Sequence, residues 1–283
     1  MKVLVVGAKG MLGGAVVEYL AATGEEVCAC GRQELDITDY GAVQQAVQAV
    51  KPDWIINCAA ATDVDRCENE PYWAHRVNAL GPWNLAAATT LVRAGLVQVS
   101  TDYVFDGTKR EAYLESDPAN PINAYGRSKL EGEEHTAAVA EKYFVLRTAW
   151  LFGPKRNNFL PWVLEVARKQ SPLHLVEDQW GSPTYVRDLA EGIGWLIKEA
   201  PLYGLYHVCN QGQCTRKQLA EVALRAAGID TSVEGIPMSA MPRPAVRPVF
   251  TPLRNRNLEL RGGWNARPYQ EAVEDFVRSW LSR

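Results

Sequence analysis

The sequence predicts an α/β protein: a Rossmann-type doubly wound parallel sheet with a smaller, loop-rich C-terminal domain. Three observations support this fold class. Short apolar runs alternate with helical patterns over residues 1–150, an alternation that is typical of βαβ units. The first apolar run passes directly into a glycine loop, VVGAKGMLGG. After Gly153 the alternation stops, and proline and arginine become frequent.

Five strands are predicted, each a short and mainly apolar run bounded by turn residues. Such runs are typical of strands buried in a parallel sheet, and right-handed crossovers are expected to join them. In chain order the strand segments are KVLVVGA, EEVCACG, DWIINCAA, LVQVSTDYVF and YFVLRTAWLFG.

Four helices are predicted between these strands. The first covers residues 11–23 and ends at Gly24, a residue type that favours the C′ position. The second begins after Thr38 or Asp39 as N-cap and stops before Pro52. The third and fourth cover residues 71–94 and 125–140.

The second half of the chain has a different character. Residues 151–283 are assigned mainly to a second domain, and residues 178–200 are expected to return to the first. The stretch PMSAMPRPAVRPVFTPLRNR has too many prolines for regular structure and is interpreted as a loop-rich cap. The final stretch, RPYQEAVEDFVRSWLSR, predicts a closing amphipathic helix.

The composition is ordinary for a globular chain of 283 residues. Apolar residues make up 47% and charged residues 22%, and the formal net charge is −3. This balance argues against a nucleic-acid partner and against a polybasic membrane surface. No apolar run reaches the roughly 18 residues that a spanning helix needs. The run Val3 to Val6 is too short for a signal peptide, so we expect a cytoplasmic protein.

The six cysteines are scattered, and no C-x-x-C pair occurs. We interpret them as buried, reduced thiols, which agrees with the expected compartment.

The glycine loop is the first candidate binding site. Its glycines have the spacing G-x-x-G-x-x-G, follow a strand directly and open a helix. Backbone N–H groups at a helix N-terminus hold a dinucleotide's pyrophosphate, and bulky side chains would keep the phosphates away. A tight turn with packing glycines is the alternative. The loop residues assigned to a nicotinamide dinucleotide are Gly7, Lys9, Gly10, Met11, Leu12 and Gly13.

The end of the second strand bears on the choice between NADPH and NADH. The sequence there, Cys30-Gly31-Arg32-Gln33, lacks the carboxylate that would bind the ribose 2′-hydroxyl of NADH. Arg32 suits the 2′-phosphate of NADPH, which is therefore favoured. A solvated arginine is the alternative, and Glu34 lies close enough to keep NADH open.

Two further segments are predicted to contact the cofactor. Asp36 is placed at the adenine edge, where a carboxylate accepts from the exocyclic amine, although a turn or capping aspartate is the alternative. The small residues Ala59, Ala60 and Ala61 end the third strand and allow a flat cofactor to lie against the backbone. Their alternative is ordinary tight packing of a helix on the sheet.

Hydroxyl, phenol and ammonium groups meet at the same predicted crevice. Ser100 and Thr101 end the fourth strand, at the edge where open α/β sheets bind ligands. Tyr125 and Lys129 follow at the start of the next helix, four residues apart and thus on one face. A Tyr-x-x-x-Lys pair by itself is common on surface helices. Its place beside Ser100 and Thr101 makes it a catalytic candidate.

With these residues in view, the chain resembles the extended branch of the short-chain dehydrogenase/reductase superfamily. Within that branch it is most similar to the dTDP-4-dehydrorhamnose reductase family, and the resemblance covers almost the whole chain. The segments that carry it, in the family's order, are GAKGMLG, NCAAATDVDRCE, VNALG, STDYVFDG, AYGRSKLEGE, LRTAWLFG and DQWGSPTY.

The resemblance implies a hydride transfer from NADPH or NADH to a keto-sugar nucleotide. The family's catalytic hydroxyl, tyrosine and lysine fall on Thr101, Tyr125 and Lys129, and Lys129 is expected to lower the pKa of Tyr125. Further cofactor residues implied are Ile37 and Asn78, together with Tyr125 and Lys129, whose ammonium is also expected to hold the ribose hydroxyls of the nicotinamide. The residues implied to bind substrate are Val64, Thr101, Asp102, Tyr103, Phe105 and Trp150.

The implied reaction converts the 4-keto group of dTDP-4-dehydro-6-deoxy-L-mannose to the alcohol of dTDP-L-rhamnose. Related dehydratases carry an acidic pair after the threonine, whereas Asp102 is followed here by Tyr103, which weakens a dehydratase interpretation. Cations for the diphosphate are expected from Arg243, Arg247 and Arg254, unless these belong to a solvated loop. No metal is carried over from the family, and a monomer and a homodimer both stay open.

Two other interpretations stay open from the sequence. One is a ketoreductase or epimerase that acts on a different nucleotide sugar. The other is a non-catalytic regulatory subunit similar to that of methionine adenosyltransferase, although the presence of Thr101, Tyr125 and Lys129 argues against it.

Overall fold

A computed structural model describes residues 1–154, 158–169, 172–199, 202–262 and 264–282. In chain order its strands are β1 (Lys2–Val6), β2 (Glu26–Cys30), β3 (Trp54–Asn57), β4 (Gly95–Thr101), β5 (Tyr143–Thr148), β6 (Leu151–Phe152), β7 (Leu173–Val176), β8 (Trp180–Gly181), β9 (Thr184–Tyr185), β10 (Gly204–His207), β11 (Cys214–Thr215) and β12 (Val233–Ile236). Its α-helices are α1 (Met11–Ala22), α2 (Tyr40–Val50), α3 (Val64–Asn69), α4 (Pro71–His75), α5 (Gly81–Val92), α6 (Ala124–Val139), α7 (Phe159–Ala167), α8 (Val186–Glu199), α9 (Arg216–Ala227), α10 (Arg256–Arg261) and α11 (Tyr269–Leu281).

Six strands form one parallel sheet in the order β10-β5-β4-β3-β1-β2. The remaining strands form two-stranded ladders outside it. The strand order reverses between β1 and β3, and ligands of doubly wound sheets bind at such a point. The predicted α/β fold with a Rossmann-type parallel sheet is therefore confirmed.

Both faces of the sheet are buried, which explains why its strands are almost continuously apolar. On one face Val3, Val5 and Ile56 pack in a cluster that includes residues of α1, α8 and α11. On the other face Leu4 and Ile55 pack against residues of α2 and α5. The alternation of side chains along each strand divides the core into these two layers.

Capping residues next to the first two helices in the sequence account for where these helices begin and end. Gly24 follows α1 with a φ of +84°, as the predicted C′ glycine should. Of the two predicted caps of α2, Asp39 is the one used, since its Oδ1 accepts from the amide of Ala42 at 3.0 Å. The helix then ends at Val50, with Lys51 as its C-cap directly before Pro52.

The predicted helix over 71–94 is interrupted by a π-helical turn, Arg76–Leu80, between α4 and α5. Such turns are frequent at functional sites. The predicted fifth strand is also interrupted. β5 ends at Thr148, Trp150 has a left-handed φ of +45°, and β6 then pairs with β9. The sequence pattern did not reveal either break.

The later part of the chain has short elements separated by loops. Helix α8 lies in the stretch predicted to return to the first domain, and the sixth strand of the sheet, β10, comes just after it. The proline- and arginine-rich stretch holds a 3-10 turn at Met238–Ala240, isolated β-bridges at Phe250 and Leu253, and the start of α10. Helix α11 closes the chain with one buried face, as predicted. The domain boundaries stay a prediction.

All six cysteines are free. Within the described ranges, no helix has the length and apolar character needed to cross a bilayer.

Candidate active site

A cleft of about 270 Å³ lies at the ends of β1, β2 and β3, where the strand order reverses. Most of the residues predicted to bind a cofactor line it: Gly7, Lys9, Gly10, Arg32, Asp36, Ile37, Ala59, Ala60 and Ala61. The sequence analysis missed other lining residues, among them Cys58, Trp73 and Val77. Trp73 and Val77 lie on the helical segment that follows residues 59–61. No sequence pattern identifies them as cofactor-binding residues.

The glycine loop is shaped by close approaches of the backbone. Gly7 has a φ of +74°, and a Cβ there would lie 2.6 Å from the amide nitrogen of Ala59. A Cβ on Gly13 would lie 2.3 Å from the carbonyl oxygen of Gly7. The predicted loop residues Met11, Leu12 and Gly13 do not line the cleft. Leu12 is buried in the core and Met11 packs against it, so these residues support the loop from its core side.

The loop fits a dinucleotide's pyrophosphate. The N-cap of α1 is Gly10, which has no side chain to cap the helix, and the first turn of α1 contains no acidic residue. Gly10 is exposed at this end and contributes no side chain that would keep a phosphate from the helix. A helix N-terminus of this kind favours an anion through its aligned N–H groups.

The rim of the cleft carries charges of both signs. Arg32 is exposed there. Glu34 forms an ion pair with Lys9 and accepts from the amide of Gly31 at 2.9 Å. Asp36 accepts from the amide and hydroxyl of Thr38 at 2.9 and 2.8 Å, and these bonds lower its pKa. The Glu34 carboxylate is thus bound to Lys9 of the glycine loop and to the Gly31 amide, whereas Arg32 extends towards solvent at the rim.

Asn78 lies behind the cleft. It belongs to the π-helical turn, is buried, and exchanges hydrogen bonds of 2.8 and 3.0 Å with the backbone of Ala61. Its amide nitrogen also lies 3.0 Å from Ser128 Oγ. Asn78 therefore links the loop of Ala59, Ala60 and Ala61 to α6. Its position indicates a supporting, structural role in the site.

Thr101 and Tyr125 meet where β4 ends and α6 begins. The Tyr125 hydroxyl is within hydrogen-bonding reach of Thr101. Tyr125 also packs against the cluster of Ala61, Cys67 and Ala74, of which Ala61 lines the cleft. Burial raises the pKa of the Tyr125 phenol. This direction is opposite to the expected effect of Lys129.

Lys129 does not lower the pKa of Tyr125 because its ammonium points towards the sheet. It is buried, and its Nζ donates to the carbonyl oxygen of Val99 at 2.6 Å. Burial lowers the pKa of Lys129 to about 8, while the nearby Glu133 acts in the opposite direction.

Glu133 lies one further turn along the same face of α6. Its carboxylate accepts from Arg147 at 2.6–3.1 Å and from Ser100 Oγ at 2.5 Å. All three side chains are buried. The sequence shows that Tyr125, Lys129 and Glu133 are spaced four residues apart. It does not show that Glu133 bonds to residues of β4 and β5.

A second cavity, of about 640 Å³, lies beside Tyr103. The Tyr103 ring packs edge-on against Tyr125 with 5.8 Å between centroids, so Tyr125 lies directly behind this wall of the second cavity. Three arginines line the second cavity: Arg216, Arg243 and Arg247. Arg247 also pairs with Asp65 at 3.1 Å. We call this second cavity the arginine pocket.

Of the six substrate residues that the family resemblance implies, Tyr103 alone lines the arginine pocket, whereas two of the three arginines expected at the diphosphate, Arg243 and Arg247, line it. Phe105 is fully buried and stacks on Tyr113, with 4.1 Å between ring centroids. Val64 begins α3 and Trp150 lies behind Arg216, and neither lines the pocket. Arg254 is elsewhere, since it pairs with Glu259 at 2.9 Å.

Arg216 is the pocket residue that the sequence analysis missed. It is the first residue of α9, and Thr215 and Gln218 form a capping box that fixes this helix start. Burial lowers the pKa of its guanidinium. The capping signature TRKQ was readable, but nothing in it indicates that α9 points at the pocket. In the residues that the structure describes, no group of His, Cys, Asp or Glu is arranged to hold a metal.

Comparison with known proteins agrees with this arrangement. The sequence model of the family described as "RmlD substrate binding domain" matches residues 1–281. The crystal structure of a dTDP-4-dehydrorhamnose reductase from Clostridium acetobutylicum superposes with a TM-score of 0.96, at 41% identity over 100% of both chains. The chain belongs to the dTDP-4-dehydrorhamnose reductase family.

Two more members of the reductase family illustrate the similarity. The Bacillus anthracis dTDP-4-dehydrorhamnose reductase was crystallised in complex with NADP. It is 38% identical, with a TM-score of 0.95 over 98% of this chain and 99% of its own. The dTDP-4-dehydrorhamnose reductase of Mycolicibacterium smegmatis is 38% identical over 98% of this chain and 85% of its own.

Proposed function

We propose that this chain reduces the 4-keto group of dTDP-4-dehydro-6-deoxy-L-mannose to give dTDP-L-rhamnose, with NADPH favoured over NADH as the reductant. The observation that carries the proposal is the position of Tyr125, which packs against Ala61 of the glycine-loop cleft on one side and against Tyr103 of the arginine pocket on the other. A reductase needs its proton donor at the junction of cofactor and substrate sites.

The cofactor would be held by backbone and small side chains. The N-terminus of α1 and Gly10 would receive the pyrophosphate, and the small residues Ala59, Ala60 and Ala61 would let the flat cofactor lie against the backbone. Arg32 at the rim suits a 2′-phosphate, which agrees with the NADP bound by the Bacillus anthracis relative. When bound, a reduced nicotinamide supplies the hydride for the carbonyl carbon.

Tyr125 gives the proton. As the carbonyl carbon is reduced, its oxygen gains negative charge and takes the phenolic proton of Tyr125. Burial raises the pKa of Tyr125, so the phenol is protonated at neutral pH and ready to donate. Once it has donated, its oxygen is a phenolate that needs a nearby positive charge.

Lys129 supplies that charge from the same helix face. Its ammonium is held at the carbonyl oxygen of Val99, one turn from Tyr125, and is protonated below a pH of about 8. Lys129 is turned to Val99 in the structure and does not lower the pKa of the phenol, so its charge acts on the phenolate that forms during turnover. Thr101, at the end of β4, would orient the substrate carbonyl oxygen by a hydrogen bond.

The arginine pocket would hold the nucleoside diphosphate. Guanidinium groups bind phosphate oxygens through paired N–H bonds, and partial burial strengthens these bonds. Arg216, Arg243 and Arg247 are the cations in question, and Tyr103 places the sugar next to Tyr125.

The test is an absorbance assay of reduced nicotinamide with the dehydrorhamnose substrate and each cofactor. We expect net consumption of NADPH and formation of dTDP-L-rhamnose. Consumption with other dTDP-keto sugars, but not with this one, would point to a different ketoreductase. Interconversion of sugars without net consumption would point to an epimerase. Absence of all turnover by folded, NADPH-binding protein would contradict an enzymatic role and favour a regulatory subunit.

A further inference from the structure

The wall of the arginine pocket that carries Arg247 is tied to two helices from the first half of the chain. On α3, Asp65 Oδ1 accepts from the amide of Ala245 at 3.2 Å, and its Oδ2 pairs with Arg247 Nη2 at 3.1 Å. Asn123, the N-cap of α6, donates from Nδ2 to the carbonyl oxygen of Val246 at 2.9 Å. Contacts that span 180 and 123 residues of sequence thus converge on three consecutive residues of this wall.

The contact of Asn123 fixes this wall against the helix that carries Tyr125. Asn123 is 0% exposed, and its Oδ1 accepts from the amide of Gly126 at 2.8 Å. Its side chain therefore caps α6 and holds Val246 at the same time. Tyr125 lies two residues further along α6, so the backbone next to Arg247 is placed relative to the proposed proton donor.

The contact of Asp65 fixes the guanidinium of Arg247 itself. The side chain of Arg247 is 10% exposed, and its Nη1 also donates to the carbonyl oxygen of Ala245 at 3.2 Å. A guanidinium has five N–H donors, so these two bonds leave donors for a ligand. Arg247 lines the arginine pocket, whereas Asp65 does not. The carboxylate therefore acts on a ligand of this pocket through Arg247.

The three guanidinium groups that line the pocket repel one another. Burial lowers the pKa of Arg216, and the charge of Arg243 acts in the same direction, whereas the buried Asp102 opposes it. Arg247 has Asp65 as a counter-charge in direct contact. A long side chain that is fixed before a ligand arrives loses less conformational entropy on binding. Asp65 thus keeps Arg247 in place despite the repulsion and prepares it for an anion.

We propose that Asp65 is a positioning residue for substrate binding: it holds Arg247 in the conformation that receives the diphosphate of the nucleotide sugar. The inference rests on the proposed reductase function for the identity of this substrate. Because Asp65 acts through a cation that binds the substrate, its removal should change substrate affinity and leave the chemical step unaltered.

The experiment compares Asp65→Asn with the wild type in the full chain. The asparagine keeps an oxygen that can accept from the Ala245 amide but loses the charge that pairs with Arg247. We expect KM for the dehydrorhamnose substrate and the Kd of dTDP, measured with NADPH present, to rise about fivefold. The kcat and the Kd of NADPH should stay unchanged.

The matched control is Asp63→Asn. Asp63 is the N-cap of α3, its Oδ1 accepts from the amide of Arg66 at 3.0 Å, and asparagine caps a helix equally well. This control changes the net charge by the same amount two residues away, and we expect KM and the Kd of dTDP to stay unchanged. An increase equal to that of Asp65→Asn would indicate a general effect of charge and would overturn the inference.

A double-mutant cycle with Arg247→Gln tests whether Asp65 acts through Arg247. In that background Asp65→Asn should raise the Kd of dTDP no further, because the partner of the carboxylate is already absent. Additive increases, a lower Kd in Asp65→Asn, or a loss of kcat at unchanged KM would each overturn the inference.

The titration with dTDP needs no turnover, so the two proposals fail separately. A wild type that binds dTDP and NADPH but consumes no NADPH refutes the proposed function. An active wild type whose dTDP affinity is the same in Asp65→Asn refutes the role of Asp65 alone.

Discussion

The guanidinium carbon of Arg216 lies 3.6 Å from the centroid of the Trp150 ring. Trp150 is held in that place by its left-handed backbone and by Gly181, where a Cβ would approach the indole to 2.4 Å. The ring supports the cation from one side and orients it in the wall of the arginine pocket. The contribution of Trp150 to substrate binding would then be exerted through Arg216.

Replacement of Arg216 should weaken substrate binding. We expect Arg216→Gln to raise KM for the nucleotide sugar about tenfold or more, because a charge-assisted bond to phosphate is worth about 1.5–3 kcal/mol. Steady-state kinetics and dTDP titration would measure the effect. Arg254→Gln is the matched control, since Arg254 pairs with Glu259 away from the pocket. Equal effects of the two substitutions would contradict the assignment of Arg216.

Replacement of the Tyr125 hydroxyl should remove the proton donor. Tyr125→Phe keeps the ring that packs beside Ala61 and Tyr103. We expect kcat to fall between about a hundredfold and ten-thousandfold, with the Kd of NADPH unchanged. Stopped-flow reduction and fluorescence titration of NADPH would check both quantities. A variant that keeps near-normal turnover would rule out Tyr125 as general acid.

The pH dependence of kcat should show an alkaline limb near pH 8. Burial lowers the pKa of Lys129 from 10.5 to about 8. The ammonium is therefore present below that pH and is lost as the pH rises through it, so kcat should fall on the alkaline side. A full pH profile at saturating substrates measures this limb. A kcat that stays constant well above pH 8 would contradict a requirement for the Lys129 charge.

Replacement of Arg32 should change the choice of cofactor. Arg32 is exposed at the rim of the cleft, where the 2′-phosphate of NADPH is expected. We predict that Arg32→Ala raises KM for NADPH about tenfold and leaves KM for NADH unchanged. NADH serves as the internal control in the same assay. An equal loss with both cofactors would place Arg32 outside the 2′-phosphate site.

Breaking the buried ion pair behind Lys129 should destabilise the fold. Glu133→Gln leaves Arg147 buried without a full counter-charge, and such a change typically costs about 3–5 kcal/mol. Denaturant unfolding would measure the loss. Glu131→Gln is the control on the same helix, because Glu131 is half exposed and pairs only with histidines. Similar stabilities of the two variants would show that the buried pair contributes little.

Local signals in the sequence determined much of this protein. The run from Val3 to Gly7 predicts a buried strand that meets a helix, and the structure has both. Asp39 and Gly24 mark helix ends because capping needs only neighbours in the chain. The spacing of Tyr125 and Lys129 places them on one helix face for the same reason.

The tertiary structure alone decided which side chains meet across long separations in the chain. Asp102 and Thr251 are 149 residues apart, and Ser100 and Arg147 reach Glu133 from two neighbouring strands. Lys129 turns to Val99 because a buried ammonium needs an acceptor close by, and only the packed sheet provides one there. Arg216 lies in the pocket because β11 and α9 fold back over Trp150. Sequence periodicity indicates which face of a helix or strand is buried. Tertiary packing determines which side chains that face contacts.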